Sequence, residues 1–216
     1  MTAAAFFDMD RTLVRKNTAT EWIKWTRRRG ELPLGKALRG LMWIARYKLS
    51  ILDMEAVTTR ATADLTGDSE TEMIERCLEF TRAVVVPNVA PKAREALARH
   101  RKEGHVIAIL SSATRYTTEP LARHLDIEHV ICTRLSVTDG RFDGTHVPPA
   151  CYGPGKVHWA EAFARERQVD LAHSFFYTDS YSDLPMLERV GEKRVVNPDT
   201  RLARHARRVG WEIEEW

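Results

Sequence analysis

Strand-like and helix-like segments alternate from about residue 91 to residue 196, which predicts an α/β protein built on a parallel sheet covered on both faces. Two further observations shape that prediction. An apolar stretch of strand type, Ala3–Phe7, stands alone near the N-terminus, and a helical pattern from Thr18 to Thr81 separates it from the alternation, as an inserted helical unit would. The 216 residues, 44% hydrophobic and 29% charged, suffice for one core domain with a smaller one inserted.

In order along the chain, residues 3–8 read as a buried strand. The helical stretch breaks near Gly30–Gly35, Ser50–Asp53 and Thr66–Ser69, giving three or four short helices on which Trp22, Trp25, Leu41, Ile44 and Ala45 recur at helical spacing. Pro87 and Pro91 mark its end. Pro91–Glu103 is a helix with Pro at its start and Gly104 just past its end. Then follow a strand Val106–Leu110, a helix Arg115–Leu125 and a strand Val130–Thr133. Leu135–Val147 carries Asp139-Gly140 and Asp143-Gly144 turn signals and reads as a hairpin. A helix Gly155–Arg167, a strand Ser174–Tyr177, a helix Leu184–Val190 and a strand Arg194–Val196 complete the pattern.

Composition removes several function classes. No apolar run approaches the roughly 20 residues a membrane-spanning helix requires, and no secretory signal pattern opens the chain, so the cytoplasm is the expected location. The three cysteines, Cys77, Cys132 and Cys151, are widely spaced and form neither a disulfide framework nor a zinc motif. Net charge is only +3, with basic runs at Arg27–Arg29 and Lys36–Lys48 and an acidic one at Asp64–Glu79. These read as solvated helix faces; the alternative is attraction of anionic substrates or a membrane surface, and no nucleic-acid motif accompanies the charge.

The chemistry-bearing residues fall at strand ends and helix starts, where open α/β sheets bind ligands. The first strand delivers Asp8 and Asp10, two carboxylates one residue apart. The second ends in Ser111-Ser112-Ala113, small residues suited to phosphate oxygens or to capping the next helix. Lys156 follows Gly153-Pro154-Gly155 at a helix start, placed to neutralise a dianion or to sit on the surface. A later strand ends in Asp179, with Asp183 four residues on; such carboxylates suit a hard cation such as Mg²⁺.

In this order the four elements resemble the haloacid dehalogenase-like phosphohydrolase superfamily, over essentially the whole chain. The motifs are Asp8-x-Asp10-x-Thr12, Ser111, Lys156 and Asp179 with Asp183. The helical insert is similar to that of the subgroup containing phosphoserine phosphatase, and the tail Val195–Asp199 with Gly210-Trp211 to its IB branch. The resemblance implies a Rossmann-like three-layer α/β/α core (residues 1–14 and 88–216) and a helical cap of the C1 type (15–87). It implies that Asp8 is the nucleophile, that Asp10 is the general acid/base, and that Ser111, Ser112 and Lys156 bind phosphate. Mg²⁺ would be held by Asp8, Asp10 and Asp179, with Asp183 acting from outside the ligand set. The expected activity is hydrolysis of a small organic phosphate through an aspartyl-phosphate. Alternatives are a phosphotransferase or mutase of the same fold, or a protein acting on lipid phosphates at a membrane surface. Phosphoserine phosphatases carry Glu where this chain has Asn17, and Gly-Asp-Gly where it has Thr178-Asp179-Ser180, which argues against phosphoserine. Asn17, Arg60 and Tyr181 are candidate substrate-reading residues, while Trp22, Trp25, Trp43 and Tyr47 read as packing residues of the insert.

Overall fold

The computed structural model describes residues 2–31 and 54–216. Its first strand, β1 (Ala4–Phe7), lies at the centre of a six-stranded sheet. The neighbours are β2 (Val106–Thr114) and β3 (His129–Thr133) on one side, then β6 (Phe175–Thr178), β7 (Glu192–Val196) and β8 (Ile213–Glu214) on the other. Every pairing in this sheet is parallel, with Phe7 opposite Ile109 on β2 and opposite Tyr177 on β6.

A parallel strand must bury both faces, and β1 does so with four apolar residues in a row. Successive side chains point to opposite faces. Ala5 and Phe7 join a core with Leu97 of α4 (Pro91–Lys102) and Leu121 of α5 (Arg115–His124). Ala4 and Phe6 join a second core with Ala160 of α6 (Pro154–Arg167), Leu187 of α7 (Leu184–Arg189) and Leu202 of α8 (Thr200–Val209). Each fully buried Phe contributes about 1.5–3 kcal/mol, so the three-layer sandwich follows from the strand composition.

Between β1 and α4 the chain makes α1 (Thr18–Arg28), α2 (Met54–Ala63) and α3 (Glu70–Phe80). It then passes through a π-helical turn, Thr81–Val85, and a 3₁₀ turn, Val86–Asn88. Trp22 and Trp25 meet the Phe80 ring edge-on at 5.2 and 5.7 Å and pack against the first core, the packing role expected of them. The segment leaves and rejoins the sheet at one place: Val14 bridges Val89, and the Arg15 N–H donates to the Asn88 carbonyl at 2.9 Å. It is also held at a second place, by the hairpin β4 (Leu135–Thr138) and β5 (Arg141–His146). There Gly67 N–H donates to Phe142 O and Phe142 N–H to Asp68 O, while from α5 the Tyr116 OH donates to Glu70 Oε1.

Most predicted elements are found, with three differences. β2 runs on to Thr114, past Leu110, with an irregular register against β3 between Ser111 and Thr114. The Thr200–Val209 helix and the short β8 had no sequence prediction. The breaks at Gly35 and Ser50–Asp53, the residues Leu41, Trp43, Ile44, Ala45 and Tyr47, and the basic run 36–48 lie outside the described residues. Among the described residues no helix is long and apolar enough to cross a membrane.

Candidate active site

The Asp8 N–H donates to the Tyr177 carbonyl at 2.9 Å, continuing the β1–β6 ladder one step, and there the chain leaves the sheet. A tight turn follows, in which Leu13 N–H donates to Asp8 O and Val14 N–H to Met9 O, with Arg11 at φ 56°. The turn lifts Asp10 to the start of α1. There Oδ1 accepts from the Thr18 backbone N–H (3.0 Å) and hydroxyl (2.7 Å), and Oδ2 accepts from the Asn17 amide (2.8 Å). Withdrawal from water pushes the Asp10 carboxyl above its ordinary value, against the opposing pull of the Thr18 bonds.

Lys156 enters from the opposite face of the sheet. Gly155 is required there, because a Cβ would lie 2.0 Å from the Ala150 carbonyl oxygen. The chain therefore turns tightly into α6 and aims Lys156 at the strand ends. Its side chain is buried, with Nζ 2.7 Å from Asp8 Oδ1 and 2.7 Å from Asp183 Oδ2. Thr178 donates a further bond of 2.6 Å to Asp183. Desolvation works against the Lys156 ammonium, but Asp183 and Asp8 outweigh it and raise its affinity for the proton. Asp8 responds differently. Burial outweighs Lys156 and pushes its carboxyl up to about 7, so burial modifies the ionised Asp8 that its ordinary value implies.

Asp179 is buried two residues beyond Tyr177, and no donor among the described residues reaches its carboxylate. Burial, then Asp8, Asp183 and Asp10, raise it well above the ordinary range. Four carboxylates, Asp8, Asp10, Asp179 and Asp183, with one lysine among them, form an oxygen-rich and electron-rich set. That donor chemistry fits a hard divalent cation, which would relieve the repulsion. At the end of β2, Ser111 is buried and accepts a 3.3 Å bond from Ala113 N–H, whereas Ser112 is exposed.

The three candidate substrate-reading residues are placed as follows. Asn17 is engaged at both ends: its amide holds Asp10, and its Oδ1 caps α1 through Thr20. Tyr181 packs against α8, with the Arg201 guanidinium 4.4 Å from its ring centroid and His205 beside it. Arg60 is exposed in the last turn of α2 and makes no hydrogen bond or ion pair with the residues above. His158 and His173 are exposed. Sequence reasoning missed the clamp beyond β7. There Asn197 donates to Arg11 O, while Asp199 takes the Tyr181 N–H and donates its own N–H to Asp179 O. The only local signal for it was an Asn-Pro-Asp at a strand end with a helix-capping aspartate.

A carboxylate cluster at the carboxyl edge of a parallel sheet, with a buried lysine between two of its members, defines an α/β enzyme with its chemistry at the strand ends. The chain belongs to the haloacid dehalogenase-like hydrolase family, whose model matches residues 5–188, and it is a phosphatase of that family. It is 32% identical to a "probable phosphatase" of Mycobacterium tuberculosis over 97% of this chain and 74% of that one. It is 27% identical to a histidinol-phosphatase of Neisseria meningitidis over 97% and 96%. The fold is that of a phosphoserine phosphatase solved as a phospho-aspartyl intermediate analogue, at TM-score 0.74 and 18% identity over 99% and 93% of the two chains.

Proposed function

We propose that the protein is a Mg²⁺-dependent phosphomonoesterase that hydrolyses a small organic phosphate through a phosphoryl group carried on Asp8. The observation that carries this reading is Lys156, buried between Asp8 and Asp183 with Asp179 beside them. A divalent cation held by Asp8, Asp179 and the Asp10 backbone carbonyl would offset the repulsion between the anionic nucleophile and an anionic ester.

Asp8 attacks phosphorus: an Asp8 O–P bond forms and the ester P–O bond breaks. Asp10 protonates the departing alkoxide, a role its raised pKa suits, since it must hold a proton near neutrality. The Asp10 carboxylate then takes a proton from water, whose oxygen attacks phosphorus and releases phosphate and free Asp8. Lys156 orients Asp8 and, with the Ser111 hydroxyl, stabilises the equatorial oxygens. Residues 15–87 act as a cap that selects substrate.

Beside the site, a cavity of about 470 Å³ is lined by Arg11, Arg15, Lys16 and Lys24 with Glu21, and Asn17, which holds Asp10, forms part of its wall. A larger groove of about 690 Å³ near Asp170 and Arg189 lies at the start of β6, the opposite edge of the sheet. A cytoplasmic setting agrees with three buried, unpaired cysteines. The test is turnover of p-nitrophenyl phosphate. Activity is expected to vanish in EDTA, to return with Mg²⁺, and to fall at least 10³-fold in Asp8→Asn. Turnover that persists in EDTA or in that variant would sink the mechanism.

A further inference from the structure

At the opposite edge of the sheet, the end of α4 folds back on itself. Gly104 adopts φ +72° with nothing within 4 Å of where its Cβ would be, and the His105 N–H donates to the His100 carbonyl at 3.0 Å. This closing turn swings His105 over His100 and brings Glu103 alongside. Three ligand atoms converge: His100 Nδ1 and His105 Nδ1 are 2.8 Å apart, and Glu103 Oε2 is 3.4 Å from the second and 3.9 Å from the first. The three atoms are close enough to share one ion at the roughly 2 Å bond length of Zn²⁺ to imidazole nitrogen and carboxylate oxygen, and the tetrahedral arrangement requires the two nitrogens to part from 2.8 Å to about 3.3 Å.

We propose that His100, Glu103 and His105 form a second metal site, for a borderline-soft divalent transition metal of the Zn²⁺ type, separate from the carboxylate cluster at the far edge. Two nitrogens and one oxygen are the ligand types such an ion prefers over Mg²⁺. The surroundings supply the support a ligating histidine needs. Nε2 of His100 lies 2.8 Å from the Tyr177 hydroxyl, an oxygen that can take its proton and leave Nδ1 free for the metal. His100 is buried, and the Phe175 ring lies 4.7 Å from its centroid and 5.2 Å from that of His105, so the two imidazoles are held in place on an apolar floor. Glu103 is half exposed and His105 partly so, which leaves an entry path and an open fourth position. Two cations oppose the site: Arg99, which donates to Tyr177 OH, and Arg194, which Glu192 pairs at 3.1 Å.

A metal here would pin the end of α4 to the start of β2 underneath Tyr177. That residue stacks on Phe7 at 4.4 Å and its carbonyl holds the Asp8 N–H, so the ion would brace the strand pair that carries the catalytic edge.

The test is titration of the whole protein with Zn²⁺ by calorimetry, in excess Mg²⁺ so that oxygen-only sites are filled, with Co²⁺ absorption as a readout of imidazole ligation. One equivalent of Zn²⁺ is expected, with a higher Tm and a tetrahedral-type Co²⁺ spectrum. Glu103→Gln and His105→Ala are each expected to weaken binding at least tenfold and to abolish the Tm rise, each variant being compared with its own metal-free form. No Zn²⁺ uptake in excess Mg²⁺, or equal uptake by His105→Ala, would overturn the site and leave a hydrogen-bonded histidine pair.

Discussion

Asp10 shows how much of a site rests on residues without chemistry of their own. Its carboxylate is aimed by three donors, two from Thr18 and one from Asn17, and Asn17 also caps α1. Asn17→Ala removes one donor from Asp10 and the cap together. The expected result is a fall in kcat of roughly tenfold with KM little changed, and a loss of about 1 kcal/mol in urea unfolding. An unaltered kcat would show that Asp10 does not need the Asn17 bond. The carboxylates and lysine were legible because each follows an apolar run or opens a helix, a pattern confined to a few neighbours in sequence. Asn197 was not, since its partner Arg11 is 186 positions away and no local pattern encodes that contact.

The elements were legible where their periodicity is strong and obscure where tertiary contacts override it. Ser111–Thr114 extends β2 because β3 pairs with it, although Ser-Ser-Ala-Thr reads as a loop. β8 is two residues long and exists only through its pairing with β7. The hairpin was plain from Asp139-Gly140, both at positive φ, but not its job of holding the helical insert. Phe142 is the centre of that contact: buried, edge-on to Tyr116 at 5.5 Å, and in one cluster with Cys77 of α3. Phe142→Ala is expected to cost about 3–5 kcal/mol and to speed amide exchange in α3 ahead of β1 and β2. Uniform acceleration across all of these elements would show instead that insert and sheet unfold as one unit.

For the molecule as a whole, the carboxylate cluster makes stability depend on pH in a sense opposite to that of most surface acids. Asp8 has its folded pKa raised to about 7 from 3.8, so the metal-free folded state holds a proton that the unfolded chain gives up. Its contribution is fully present below the lower value and is lost as pH rises through the higher one. In EDTA, the stability of wild type relative to Asp8→Asn is therefore expected to fall between pH 4 and 7.5, and Mg²⁺ is expected to restore more of it at pH 7.5 than at pH 5. Denaturant unfolding of both proteins at these pH values checks the sign; a difference that does not vary with pH would refute it.

The crossing at Val14–Val89 has a consequence for descent. The two ends of the intervening segment are one hydrogen bond apart, so the strands on either side stay in register whatever length of chain runs between them. Closing a loop twice as long costs only about 0.6 kcal/mol more. The segment is thus an exchangeable cassette. A lineage can lengthen or trim it beyond the start of α1, where Asn17 and Thr18 hold Asp10, while Asp8 stays where it is.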